Sequence, residues 1–247
     1  MKNFILEKII NQKLNKMQFN DCVPNGLQIE GCQDVTKIIT GVTACQELLN
    51  IAVKKEAQGI IVHHGYFWDN ESKIIHGMKK NRLKTILTNN INLYSWHLPL
   101  DFHPELGNNV QIAQQLNIEV LGSLSKFLLW GKFKSTITGL ELVEKITQKF
   151  GRVPFYCHNN NQKNISSVAW CSGKGQSFIY DAAAYHMDAF ITGEMSEDTI
   201  HCARENGLDF FSIGHHASEK FGIKAVNDWL IEQYQLDCTF IDIENFA

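Results

Sequence analysis

Apolar residues in this chain alternate between a strand rhythm and a helix rhythm. From Thr36, the segment KIITGV (37–42) reads as a β-strand. Leu48, Leu49, Ala52 and Val53 then form the apolar stripe of a helix running from about Ala44 to Ala57. Gly59 to Val62 reads as a second strand, ending at His63-His64-Gly65, so the three segments make a β-α-β unit. Thr43 followed by Gln46 predicts a capping box at the start of the helix. Next come a helix around Arg82 to Asn89, a strand at 91–96 (INLYSW), a loop carrying His97 and Asp101, and a helix from about Asn108. The opening MKNFILEKIINQKL mixes charges with apolar residues at helical spacing, which predicts a helix rather than a cleavable leader.

The second half repeats this grammar. A strand at 167–171 (SVAWC), a helix over 176–186, a strand from Asp188 to Thr192, a helix over 197–206 and a strand at 209–213 (DFFSI) follow one another. Trp96-His97 followed by Asp101 corresponds to Gly214-His215 followed by Glu219, each pairing a histidine with a carboxylate one helical turn on. The expectation is an α/β protein of two related lobes, 1–125 and 126–247. Their sheets are mainly parallel and covered by helices, with a metal site between the lobes in the loops after strand C-termini. Within 122–165 the clear element is the amphipathic segment Leu140 to Phe150, and the polar run HNNNQKN (158–164) reads as a surface loop.

Composition narrows the function. The net charge of −3 argues against a basic face for duplex nucleic acid. No apolar run is long enough to cross a bilayer, which points to a soluble protein, and the cysteine pattern fits reduced thiols in the cytoplasm. The seven cysteines are odd in number and scattered, without the two-residue gap of a zinc knuckle or redox pair. Cys45, Cys171 and Cys202 lie in apolar surroundings and read as inert buried thiols.

The histidines carry the candidate chemistry. His63-His64 follows a buried strand, where neighbouring side chains diverge and can feed two adjacent metals. His215-His216 repeats this after FFSI, with Glu219 one helical turn from His215. If the loops of the two lobes face each other, His63, His64, Asp101, His215 and Glu219 supply nitrogen and oxygen ligands suited to iron(II), manganese or zinc. These side chains can hold two divalent ions if Glu219 or Asp101 bridges them at a separation of about 3.5–4 Å, the usual setting for metal-assisted hydrolysis. His97, His103 and His216 are acid/base candidates, against surface or structural roles. Glu194 occupies the strand end that matches His63-His64 and could line the same cleft. His76, His158, His186 and His201 read as structural or exposed.

Weaker signals remain open. Ser172-Gly173-Lys174-Gly175-Gln176-Ser177 joins a strand to a helix, and is either a phosphate-holding turn or a plain one. Lys79, Lys80, Arg82 and Lys84 read as a solvated helix face. Trp68 either shields the tandem histidines, stacks a base, or packs on the core.

The segments PNGLQIEG (24–31), GVTA (41–44), HHGYFW (63–68), HLPLDFHPELGNN (97–109), ITGE (191–194) and GHHASE (214–219) together resemble a known family. It is the dinuclear metal-binding family of GTP cyclohydrolase 1 type 2 homologues, also called Nif-three-like, and the similarity runs end to end. The resemblance implies a ring-shaped homohexamer with metal sites on the inner cavity and His63, His64, Asp101, His215 and Glu219 as ligands. It also implies a hydrolase of a nucleotide-like substrate, by analogy with opening of the GTP imidazole ring and release of formate. The competing readings are a non-catalytic metal-binding or metal-delivery ring that captures partners, and a ring that binds nucleic-acid ends or single strands.

Overall fold

The computed structural model describes residues 1–14, 20–159 and 164–247. The first half of the chain forms α1 (Asn3–Leu14), β1 (Gly26–Ile29), β2 (Lys37–Thr43), α2 (Gln46–Lys54), β3 (Gly59–His64), α3 (Gly77–Thr88), β4 (Asn92–Ser95) and α4 (Leu98–Asp101). It continues with α5 (Asn108–Leu116), β5 (Ile118–Ser125), β6 (Leu128–Ile137), α6 (Gly139–Phe150), β7 (Phe155–Cys157) and β8 (Ile165–Cys171). After a 3₁₀ turn at Gln176–Phe178 come α7 (Ile179–Ala184), β9 (Ala189–Thr192), α8 (Glu197–Asn206), β10 (Asp209–Ser212), α9 (His215–Tyr234) and β11 (Asp237–Phe240).

These elements form two compact units. One comprises Met1–Gly107 with Gly222–Ile243, the other Asn108–Phe221 with Glu244–Ala247. The boundary expected near residue 125 falls at the end of β5, inside the second unit, where β5 is paired along its length with β6. The chain crosses earlier, at Gly107/Asn108, and the later part of α9 with β11 returns to the first unit.

In the first unit the sheet order is β1-β4-β3-β2-β11. β11, β2, β3 and β4 run parallel and β1 is antiparallel to β4. The strands read as continuous apolar runs because alternate residues serve opposite faces. Ile39, Ile60, Val62 and Leu93 pack with Leu48, Leu49 and Ala52 of α2 and with Leu83 and Ile86 of α3. Ile38, Ile61, Tyr94 and Trp96 pack with Leu6 and Ile10 of α1 and with Val226 and Leu230 of α9.

In the second unit the order is β5-β6-β8-β9-β10-β7. Only β8, β9 and β10 run parallel, flanked by the antiparallel β5–β6 hairpin and by β7, so this sheet is mixed rather than mainly parallel. Val168, Trp170, Ile191 and Phe211 face α5 and α6, while Ala169, Cys171, Phe190 and Phe210 face α7 and α8. The parallel strands β8-β9-β10 repeat the sequential order of β2-β3-β4. This is the internal likeness expected from the sequence.

Caps decide several helix ends. Thr138 and Glu141 form a reciprocal capping box on α6, which closes on Gly151 in the left-handed conformation. Thr138→Ala is expected to cost about 1 kcal/mol, measurable as a lowered urea midpoint at unchanged slope. The box expected at Thr43/Gln46 does not form. α2 starts after Cys45, which makes no side-chain cap, and Thr43 remains in β2. The run 158–164 lies partly outside the described residues, at 160–163, and within it Asn159 is buried. No helix among the described residues is long and apolar enough to cross a membrane.

Candidate metal centre

In the first unit, β3 is buried almost to its last residue, so the sheet delivers His63 and His64 at its C-terminal edge. Their side chains leave the strand in opposite senses, yet the rings do not diverge as expected. Both turn toward His97, with ring centroids 4.5 Å apart and 5.2 and 5.8 Å from that of His97. His63 is fully buried. Its Nδ1 donates to the Trp96 carbonyl at 3.0 Å, since a carbonyl can only accept, and its Nε2 lies 3.5 Å from Asp101 Oδ1. His64 Nδ1 is 3.2 Å from Thr43 Oγ1, which is why that hydroxyl does not cap α2. Asp101, also buried, ends α4, a single turn with Pro99 in its first positions.

Behind this cluster is a network that the sequence pattern did not reveal. Asp21 Oδ1 accepts from His97 Nδ1 at 2.8 Å, and its Oδ2 accepts from the Leu98 N–H at 3.0 Å and from Asn25 Nδ2 at 2.9 Å. Asn25 in turn accepts the His97 backbone N–H at 2.7 Å. Burial alone would raise the Asp21 carboxyl, but hydrogen bonds from His97 and Asn25 outweigh it and bring the pKa down to about 2. His63, His64 and His97 can converge on one ion, and so can Asp21, Cys22 and His97.

In the second unit, Ile213 and Gly214 join β10 to α9, which places Glu219 one turn along from His215, with Nε2 to Oε2 at 3.2 Å. His215 Nδ1 meets Glu194 Oε1 at 2.7 Å, and the other oxygen of Glu194 accepts from Gln176 Nε2 at 3.4 Å. Glu194, just beyond β9, therefore sits behind the imidazole and fixes its orientation. Burial on its own would lower the His215 pKa, but hydrogen bonding and charge from Glu219 and then Glu194 overcome it and raise the value to about 9.

Gly173, at φ +59°, is what leaves room for this pair. A Cβ there would fall 2.2 Å from Glu219 Oε1 and 3.2 Å from His215 Nε2. Gly173→Ala is expected to displace Glu219 and weaken metal binding at least about tenfold, read by titration with zinc against a fluorescent chelator.

Other candidates are placed elsewhere. His103 is buried, with Nδ1 accepting the backbone N–H groups of Glu105 and Leu106, which is a structural cap. His216 is buried in the first turn of α9 and joins none of the metal-holding groups found among the described residues. In the 172–177 turn, the Ser172 and Gly173 N–H groups are taken by Asn109 Oδ1 and Ser218 Oγ, which leaves little of a phosphate cradle. Cys171 and Cys202 are buried as expected, whereas Cys45 is partly exposed.

Strand-end imidazoles anchored at one ring nitrogen and facing a carboxylate with the other define an α/β protein whose clusters can hold metal ions. Comparison with known proteins gives the family of the chain. It belongs to the Duf34/NIF3 (NGG1p interacting factor 3) family, whose sequence model matches residues 1–246. It is 58% identical, over the full length of both chains, to a protein of Buchnera aphidicola subsp. Acyrthosiphon pisum named GTP cyclohydrolase 1 type 2 homolog. It is 56% identical, again over the full length of both, to the Escherichia coli K12 protein of that name. The solved structure of protein ybgI, described as of unknown function, superposes with a TM-score of 0.98 at 55% identity, each chain covered completely.

Proposed function

We propose that this protein is a metal-dependent hydrolase of a nucleotide-like substrate, of the GTP cyclohydrolase 1 type 2 kind. His63, His64, Asp101, His215 and Glu219 are its ligands for two divalent ions, iron, manganese or zinc. One recurring observation carries the reading. In each unit a histidine donates through Nδ1 to a fixed oxygen, of Trp96 or Glu194, and turns Nε2 toward a carboxylate, of Asp101 or Glu219. That arrangement fixes the tautomer and orientation a metal-binding imidazole requires. The donor set is nitrogen and oxygen without thiolate, and the pocket left by Gly173 is shaped for the second pair.

Divalent ions held by such a set supply Lewis acidity, lowering the pKa of water and polarising an electrophile. The remaining work belongs to side chains. Asp101 and Glu219 balance positive charge in a buried setting. Asp21 accepts a hydrogen bond from the protonated Nδ1 of His97, so His97 Nε2 is the ring atom that accepts and returns a proton beside His63 and His64. His216 is the second acid/base candidate, and Glu194 acts on His215 rather than on substrate. The reading extends to a ring-shaped homohexamer in the cytoplasm, on the strength of family resemblance, with sedimentation at hexamer mass as its check.

The test of the hydrolase is release of formate from GTP by protein reconstituted with iron(II), manganese or zinc. Metal-dependent formate release supports it. Bound metal with no consumption of GTP or related nucleotides overturns it in favour of metal storage, delivery or partner capture.

A further inference from the structure

Immediately after the tandem histidines the backbone does something costly. Phe67 adopts φ +68°, a left-handed conformation that a bulky aromatic residue rarely takes and that structures retain where function uses it. The strained turn is braced from several sides. The Phe67 N–H donates to Glu71 Oε2 at 2.9 Å, and the Glu71 N–H returns to the Trp68 carbonyl at 2.8 Å. Lys79 of α3 bonds Glu71 Oε1 at 3.2 Å and the Ser72 carbonyl at 2.6 Å, and stands 6.0 Å from the centre of the Phe67 ring. Trp68 is pinned by Nε1 donating to the Gly65 carbonyl at 3.1 Å.

Beside the braced turn lies an open cleft of about 430 Å³, within the usual range for small-molecule sites. Phe67 and Trp68 supply aromatic walls, and Ile75, largely exposed, adds an apolar one. Lys73 and Asp69 stand exposed on the rim, one cation and one hydrogen-bond acceptor. Trp68 is also the wall shared with the histidine cluster, its ring centred 5.9 Å from that of His64 and edge-on to His97 at 5.0 Å. Trp68 thus links the cavity to the histidine cluster of the same unit, although no histidine lines the cavity itself.

The chemistry that fits two aromatic surfaces, a free cation and a rim carboxylate is a planar nitrogen heterocycle with an anionic tail. We propose that the Phe67–Trp68 cavity is a nucleotide-binding site, in which the base stacks on the aromatic walls, Asp69 accepts from its N–H groups and Lys73 meets its phosphates. The site rests on the hydrolase reading only for its orientation toward the histidines, and its binding is measurable without turnover.

The experiment is calorimetric titration of the full-length, metal-loaded protein with GTP, guanosine and inorganic triphosphate, on wild type, Phe67→Ala and Lys73→Ala. Metal content is measured on each sample. The expected result is that wild type binds GTP and guanosine, and that Phe67→Ala weakens both by about tenfold or more, the effect of losing a stacking surface. Lys73→Ala weakens GTP several-fold and leaves guanosine unchanged. If Phe67→Ala loses metal, Lys73→Ala alone decides, since Lys73 is a rim residue outside the core. The proposal is overturned if wild type binds neither GTP nor guanosine, if triphosphate binds as tightly as GTP, or if neither variant alters binding. Turnover, followed separately, distinguishes the two readings: binding that depends on Phe67 with no consumption of GTP or related nucleotides sinks the hydrolase alone, and formate release indifferent to both variants sinks this site alone.

Discussion

Glu219→Ala is expected to retain the fold and lose high-affinity metal binding, with any metal-dependent formate release falling to background. Glu219 is buried, its Oε1 borders the space kept open by Gly173, and its Oε2 faces His215 Nε2. Truncation would remove one of the proposed ligands and also the charge that offsets a cation in a desolvated place, and water would make good neither loss. The size of the loss separates this variant from one that merely loosens the site. Glu194→Gln, which keeps an acceptor for His215 Nδ1 but removes a charge, is expected to weaken metal binding about 10–100-fold rather than abolish it. Metal analysis after dialysis, with circular dichroism to confirm folding, checks both. Full metal retention in Glu219→Ala would remove this residue from the ligand set.

The second large effect is a dependence on pH that reverses when metal is bound. Without metal, His215 holds its proton up to about pH 9, above the ordinary 6.5, because Glu219 and Glu194 accept from it. A raised folded-state pKa contributes stability that is complete below about pH 6.5 and is lost as pH rises through 9. Metal-free protein should therefore melt at progressively lower temperature across that interval. A metal bound at Nε2 must displace that proton, so affinity should rise nearly tenfold per pH unit well below the pKa and level off near it, giving about fiftyfold between pH 7 and 9. Competition against a chelator with known proton affinities, at three pH values, measures the slope. An affinity flat between pH 7 and 9 would show that His215 gives up no proton on binding.

Much of this was legible in the chain itself, for reasons that can be named. α8 reads at its true bounds, 197–206, because Ser196 caps one end and Gly207 closes the other in the left-handed conformation. The ligand candidates stand out because a tandem histidine pair ends an apolar strand in the first unit and follows one in the second, and carboxylates come at helical spacing after His97 and His215. α3 reads as starting near Arg82, five residues late, because its first turns are polar and only Leu83 and Ile86 are buried. β5 and β6 escape notice because bulges near Val120/Gly122 and Ser123/Ser125 break the two-residue period. The Thr43/Gln46 capping box is a misreading of a local motif, since the hydroxyl is claimed by His64 from the neighbouring strand. Asp21, 76 residues from His97, carries no local mark of its role, and only the fold joins them.

The central claim is that these histidines and carboxylates are metal ligands, and elemental analysis of the purified, reconstituted protein tests it most directly. The account predicts about two divalent ions per chain, both lost when Glu219 is replaced. Wild-type protein that retains no ion after exposure to iron(II), manganese and zinc in turn would contradict it.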